Sequence, residues 1–201
     1  APEPFVGRPA IDNYDLVLTA NTPQWSRVSG TMFFIAGRDV NFDEWAEAYV
    51  LIIDTGLDWR PTDQLRVNPT FLRQQYIRPD DRSTVRVRDI PRLKVEYQVS
   101  RSFFVRLVGQ YDASWRDALR DDTRTGRPLV LIDDEGATTP LLEVSRNRVQ
   151  GDVLLSYRPT PGTVVFAGYG STMGEEDRFS FRNVRRSTDG FFLKFSYLIR
   201  R

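Results

Sequence analysis

Residues 92–99 alternate without a fault: Leu93, Val95, Tyr97 and Val99 interleave with Arg92, Lys94, Glu96 and Gln98. A strand turns successive side chains to opposite faces, so this segment needs one apolar side and one polar side. The same period returns in 103–112, where Phe103, Val105, Leu107 and Tyr111 oppose Arg106, Gln110 and Asp112. In 152–158, Val153, Leu155 and Tyr157 oppose Asp152, Ser156 and Arg158, with Leu154 the one apolar intruder. In 191–200, Phe191, Leu193, Phe195, Tyr197 and Ile199 share a face, against Lys194, Ser196 and Arg200 with Phe192 and Leu198. Further strands are expected at 27–37, 46–59, 64–77 and the Gly-rich 163–171, with a weaker one at 14–20. Helical periodicity is poor throughout; Trp115–Arg120 is the one place for a helical turn.

The connections carry a second signal. Short turns are expected at Arg60-Pro61-Thr62-Asp63, Ser100-Arg101-Ser102 and Pro159-Thr160-Pro161-Gly162, and long connections at 38–45, 78–91, 113–147 and 172–189. Strict alternation of short and long is the pattern of an up-and-down barrel in an outer membrane, with tight turns on the periplasmic side and long loops outside. A Greek-key sandwich does not predict it. The expectation is therefore an all-β chain forming an antiparallel up-and-down β-barrel of outer-membrane type, with about eight or nine strands. Residues 1–26 read as an N-terminal arm or partial strand and 27–201 as the barrel domain. Pairing of 14–20 as a ninth strand would break the even count and favour a piece of a larger barrel over a closed eight-stranded one.

Trp59, Tyr97 and Tyr157 end apolar faces beside short turns, and Tyr197 holds the equivalent place in the last strand. Amphipathic rings at that height are expected to form a membrane girdle; the alternative is aromatic packing at the rim of a soluble β-core. The opposite strand face carries Arg66, Arg73, Arg92, Lys94, Glu96, Arg106, Asp152 and Arg158, either a polar lumen or a solvated outer surface. A mostly polar average composition fits such a barrel, because only every second strand residue meets lipid.

The chain has no Cys and no His, which removes disulfides, thiol chemistry, imidazole bases and histidine metal sites. Its net charge is +1 and its cations are not clustered, so no nucleic-acid footprint is visible. Asp133-Asp134-Glu135-Gly136 lacks the ligand spacing of a calcium loop and reads as a solvated acidic turn, as does Asp121-Asp122. Gly174-Glu175-Glu176-Asp177 reads as a loop tip, and Gly168-Tyr169-Gly170 lies within a strand and is no phosphate loop. No catalytic, cofactor or metal-binding residues are assigned, and the chain is read as non-enzymatic.

Four stretches carry a family resemblance: Pro159-Thr160-Pro161-Gly162-Thr163-Val164-Val165-Phe166-Ala167-Gly168-Tyr169-Gly170-Ser171, Arg185–Leu198, Tyr97-Gln98-Val99-Ser100-Arg101-Ser102 and Ala118-Leu119-Arg120-Asp121-Asp122. Together they resemble the C-terminal barrel region of a bacterial family of uncharacterised outer-membrane proteins, which place a carbohydrate-binding family 9-like domain before a membrane barrel domain of unknown function. The resemblance runs from about Thr19 onward. It implies an outer-membrane location, the lipid bilayer as partner, and a longer parent chain carrying the carbohydrate-binding-like domain. It supplies no catalytic residues. The chain departs from the barrel pattern by ending in Arg200-Arg201 where an aromatic is usual. The expected role is a pore, anchor or transport scaffold; the alternative is a soluble or peripheral β-subunit, periplasmic or attached to a membrane complex.

Overall fold

The computed structural model describes residues 3–8 and 10–198; Ile199, Arg200 and Arg201, counted above with the last strand and chain end, lie outside them. Eleven strands follow in chain order: β1 Tyr14–Asn21, β2 Val28–Asn41, β3 Ala46–Trp59, β4 Leu65–Ile77, β5 Thr84–Ser100, β6 Phe103–Arg116, β7 Val130–Ile132, β8 Thr138–Pro140, β9 Val144–Thr160, β10 Thr163–Glu175 and β11 Arg185–Tyr197. Nine of them form one sheet in the order β1-β2-β3-β4-β5-β6-β9-β10-β11, and every neighbouring pair is antiparallel. The small β7–β8 hairpin sits inside the longest connection.

The segment 14–20 is a full strand: Tyr14–Asn21 pairs residue for residue with Thr31–Arg38 of β2. The sheet is consequently odd-numbered and open. Among the described residues, the outer edges of β1 and β11 have no partner strand, and both strands are exposed along their whole length. In an antiparallel meander of nine strands the first and last run the same way, so joining β1 directly to β11 would make a parallel seam.

The strands run further than hydrophobic alternation indicates. β5 begins at Thr84, β2 reaches Asn41 and β3 starts at Ala46, which shortens the connection expected at 38–45 to four residues, 42–45. Backbone pairing is indifferent to side-chain polarity, and the extensions are laced by cross-strand ion pairs such as Arg88–Asp112 (2.6 Å) and Arg73–Asp89 (3.3 Å). The alternation of short and long connections survives at 117–143 and 176–184. No described residue is helical; Trp115 and Arg116 end β6, and Arg120 makes a single bridge to Pro128. The near-copy turns also differ: Pro61 lies in the β3–β4 turn, whereas Pro159 is still in β9 and the chain reverses at Pro161-Gly162, with Gly162 at φ 95°.

Direct partners in the ladders share a face, so the registers sort the side chains. Leu93, Val95, Tyr97, Leu107, Val153 and Leu155 fall on one face, and Arg66, Lys94, Glu96, Arg106 and Asp152 on the other. The apolar face is the open one. Leu93 is 47% exposed, Leu107 45%, and Val153 and Leu155 38% each, while the Lys94 and Glu96 side chains keep 26% and 28%. A Cβ at Gly56 or Gly170 on the charged face would crowd its own ladder partner, Thr31 Oγ1 at 3.0 Å or Asp152 Oδ1 at 2.6 Å.

Tight approach also fixes β1. A Cβ on Gly37 would run into the Tyr14 carbonyl oxygen and lie 2.8 Å from the Asp15 Cα, both backbone atoms that cannot rotate away. Gly37→Ala is expected to detach β1 from β2 and leave β3–β6 intact. Amide exchange checks this: protection should fall at Leu16 and Leu18 and persist at Leu93 and Leu107; unchanged protection at Leu16 would refute the close approach.

Candidate functional site

The compact part of the molecule lies at the loop end of the sheet. There Val87, Asp89, Tyr111, Ala113, Asn147 and Glu175 are buried although they continue the face that is open lower down. The 176–184 connection packs against Tyr111, Asp89, Asn147 and Glu175. Phe179 stacks on Tyr111 with ring centroids 4.5 Å apart, and Phe181 lies 5.1 Å from the same ring. Tyr111 Oη donates to Glu175 Oε2 (2.7 Å) and accepts from the Phe179 amide (2.7 Å), while Ser180 Oγ donates to Glu175 Oε1 (2.5 Å). Phe179 and Phe181 hold left-handed φ values of 56° and 53°, conformations costing about 1–3 kcal/mol that the packing sustains. Arg178 reaches Asp89, which also pairs with Arg73.

A second cluster clasps three connections. The Arg78 and Glu44 side chains are 1% and 0% exposed. Arg78 grips Glu44 in a two-pronged pair, Nη2 to Oε1 at 2.6 Å and Nε to Oε2 at 3.0 Å. Its Nη1 donates to Asp117 (2.7 Å) and Ser83 (2.9 Å). Glu44 also accepts from the Arg120 amide (2.9 Å) and the Asn41 side chain (3.1 Å). Burial opposes the charge on Arg78, but its hydrogen bonds to Glu44 and Asp117 outweigh that and raise its pKa. Hydrogen bonds from the Ser83 hydroxyl and amide, then Arg120, hold the Asp81 carboxyl well below the usual carboxylate range. With its donors and acceptors paired, the cluster can fix loops; it presents no free nucleophile or base.

The acidic segments resolve into local structure. Asp133 accepts from the Glu135 and Ala137 amides and makes the turn of the β7–β8 hairpin, and Asp121 accepts from Thr125 (2.9 Å). Glu175 is the exception to its reading as a loop tip: Gly174 and Glu175 end β10, and Glu175 is buried under Tyr111 and Ser180. Charge in a strand-to-loop segment reads as solvated, and only the distant Tyr111 and the returning loop reveal otherwise. Among the described residues no group of three or more acidic side chains converges as a metal site.

Trp59, Tyr97, Tyr157 and Tyr197 do come together as a row. All four lie on the open apolar face next to the short-turn ends of β3, β5, β9 and β11, and all are exposed. Between that row and the loop-end core, a shallow apolar groove of about 890 Å³ runs under Phe181, lined by Leu57, Phe71, Pro91, Leu93 and Tyr111.

The charged face is partly self-neutralised. Arg66 grips Asp58 through Nε (3.0 Å) and Nη2 (2.7 Å), Lys94 pairs with Glu96 (3.5 Å), and Arg88 pairs with Asp112. Comparison with protein-family models, curated proteins and solved structures returns no match, so the functional reading rests on this geometry.

Proposed function

We propose that this chain is a wall segment of an outer-membrane β-barrel, acting as a pore, anchor or transport scaffold without enzymatic activity. The observation that carries the reading is that, among the described residues, no second layer packs on the apolar sheet face below the 176–184 connection. A sheet with one apolar face ordinarily buries it against another element. Here Leu93, Leu107, Val153 and Leu155 remain exposed, while on the opposite face Lys94 and Glu96 are half-buried. Lipid on the apolar face and water on the charged one satisfies both.

Dimensions support it. On β5 the apolar stretch Pro91–Val99 measures about 27 Å along the strand at ~3.4 Å per residue, and about 20 Å once tilted by ~40°, near the ~25 Å band of such barrels. Trp59, Tyr97, Tyr157 and Tyr197 would form the girdle at the turn side, and the Tyr111–Phe179 and Arg78–Glu44 clusters would stand above the bilayer. Closure of the wall into an all-antiparallel barrel takes an odd number of strands beyond the nine.

Fractionation of native cells tests this. The species carrying this sequence is expected in membranes that survive an alkaline wash. Recovery in the soluble pool, or release by alkali, would overturn the reading in favour of a soluble or peripheral β-subunit.

A further inference from the structure

We propose that the charged face lines a lumen selective for small anions, such as inorganic phosphate or small carboxylates; this rests on the barrel reading above. The chain as a whole is almost neutral, with 28 basic and 27 acidic residues. Its charges are nevertheless sorted by place. On the charged face of β5, β6 and β9 the carboxylates are Glu96, Asp112 and Asp152, and the cations outnumber them. Glu96 and Asp112 are already engaged, by Lys94 and Arg88. Among the described residues, the side chains of Arg92, Arg106 and Arg148 make no hydrogen bond or ion pair, and neither does Asp152. The compensating acids lie at the loop end, in Asp43, Asp81, Asp117, Asp122, Asp133 and Asp177.

Two of these free cations, Arg92 and Arg106, border the same depression as the paired Lys94. Arg106 is the register partner of Glu96, Arg92 lies one inward position from Lys94 along β5, and Val108, between them in the ladder, faces Asp152. Arg92, Lys94, Arg106 and Asp152 border a depression of about 540 Å³ walled on its far side by Phe192. That is ample for one hydrated small anion. Unpaired positive charge on a curved, low-dielectric wall focuses potential into the enclosed water, and Arg/Lys linings select for anions. A paired lining such as Arg66–Asp58 contributes little field.

The test uses the intact purified protein in lipid vesicles and planar bilayers, first scored for insertion by resistance to alkaline extraction. Under a KCl gradient, the zero-current potential is expected to take the sign of chloride permeation. Replacing Arg92, Lys94 and Arg106 together by Gln should lower the anion-to-cation permeability ratio several-fold, and Glu at the same positions should invert the preference. The Gln set keeps hydrogen-bonding side chains, so a folding failure of the Glu set leaves the test intact. Inserted protein that conducts without anion preference, that conducts unchanged after the Gln replacement, or that does not conduct overturns the anion lining and leaves the barrel standing. Protein that fails to insert overturns the barrel reading itself.

Discussion

Glu44→Ala is expected to destabilise the protein by about 3–5 kcal/mol, the largest effect of any single polar substitution considered for this chain. The magnitude follows from what is left behind. Arg78 is fully enclosed, cannot shed its proton, and loses both prongs of its pair together with its principal counter-charge. The Arg120 amide and the Asn41 side chain lose their acceptor in the same step. Asp117→Asn is the internal comparison: its side chain is 33% exposed and water can replace what is lost, so about 1 kcal/mol or less is expected. Denaturant midpoints in detergent micelles read both variants. Changing Glu44 to Gln and Arg78 to Met together should recover part of the loss, because the destabilisation comes from an orphaned charge. Equal, small effects at Glu44 and Asp117 would show that the loop end is loosely held.

Leu93→Arg is expected to cost about 2–4 kcal/mol in a bilayer, because Leu93 lies near mid-height of the open apolar face, between Tyr97 below and Asp89 above. The substitution discriminates because Leu93 is half exposed. In a soluble protein a half-exposed leucine on an uncovered face tolerates arginine within about 0.5 kcal/mol. Urea titration of refolding into vesicles separates the outcomes, and a neutral result would place water, not lipid, against this face. Arg92→Leu, one residue away on the opposite face, is the control: it introduces no charge into lipid, so its effect should be small.

Much of this arrangement is legible in the sequence. Alternation in 92–99, 103–112 and 152–158 gives the strands and their faces, because a strand with one apolar side writes a period of two into the chain. The aromatics beside the short turns are equally readable. The extension of β5 back to Thr84 is not: Arg88 and Asp89 find partners across the ladder, and Arg86 finds Asp43 in the β2–β3 connection, none of which a local pattern announces. Glu44 and Arg78 are far apart in the chain, and each on its own resembles a solvated turn residue. Tyr111 belongs to a readable apolar series, but its burial depends on Phe179 and Phe181 returning from a connection with no periodicity. Alternation reports two faces of one sheet; it carries no record of which loops fold back onto them.

The odd strand number has a bearing on self-association. An uncovered strand edge recruits extended backbone, and this sheet has two such edges pointing the same way. In water a second copy can turn upside down, so that β11 meets β11 antiparallel and β1 meets β1, zipping two sheets into a closed eighteen-stranded ring. A bilayer fixes which end is up, and upright copies can meet only across the less favourable parallel seam. On the proposed barrel reading, the membrane would thus act as a chaperone by geometry alone, denying the chain its own twin and keeping both edges free for strands that arrive in the right sense.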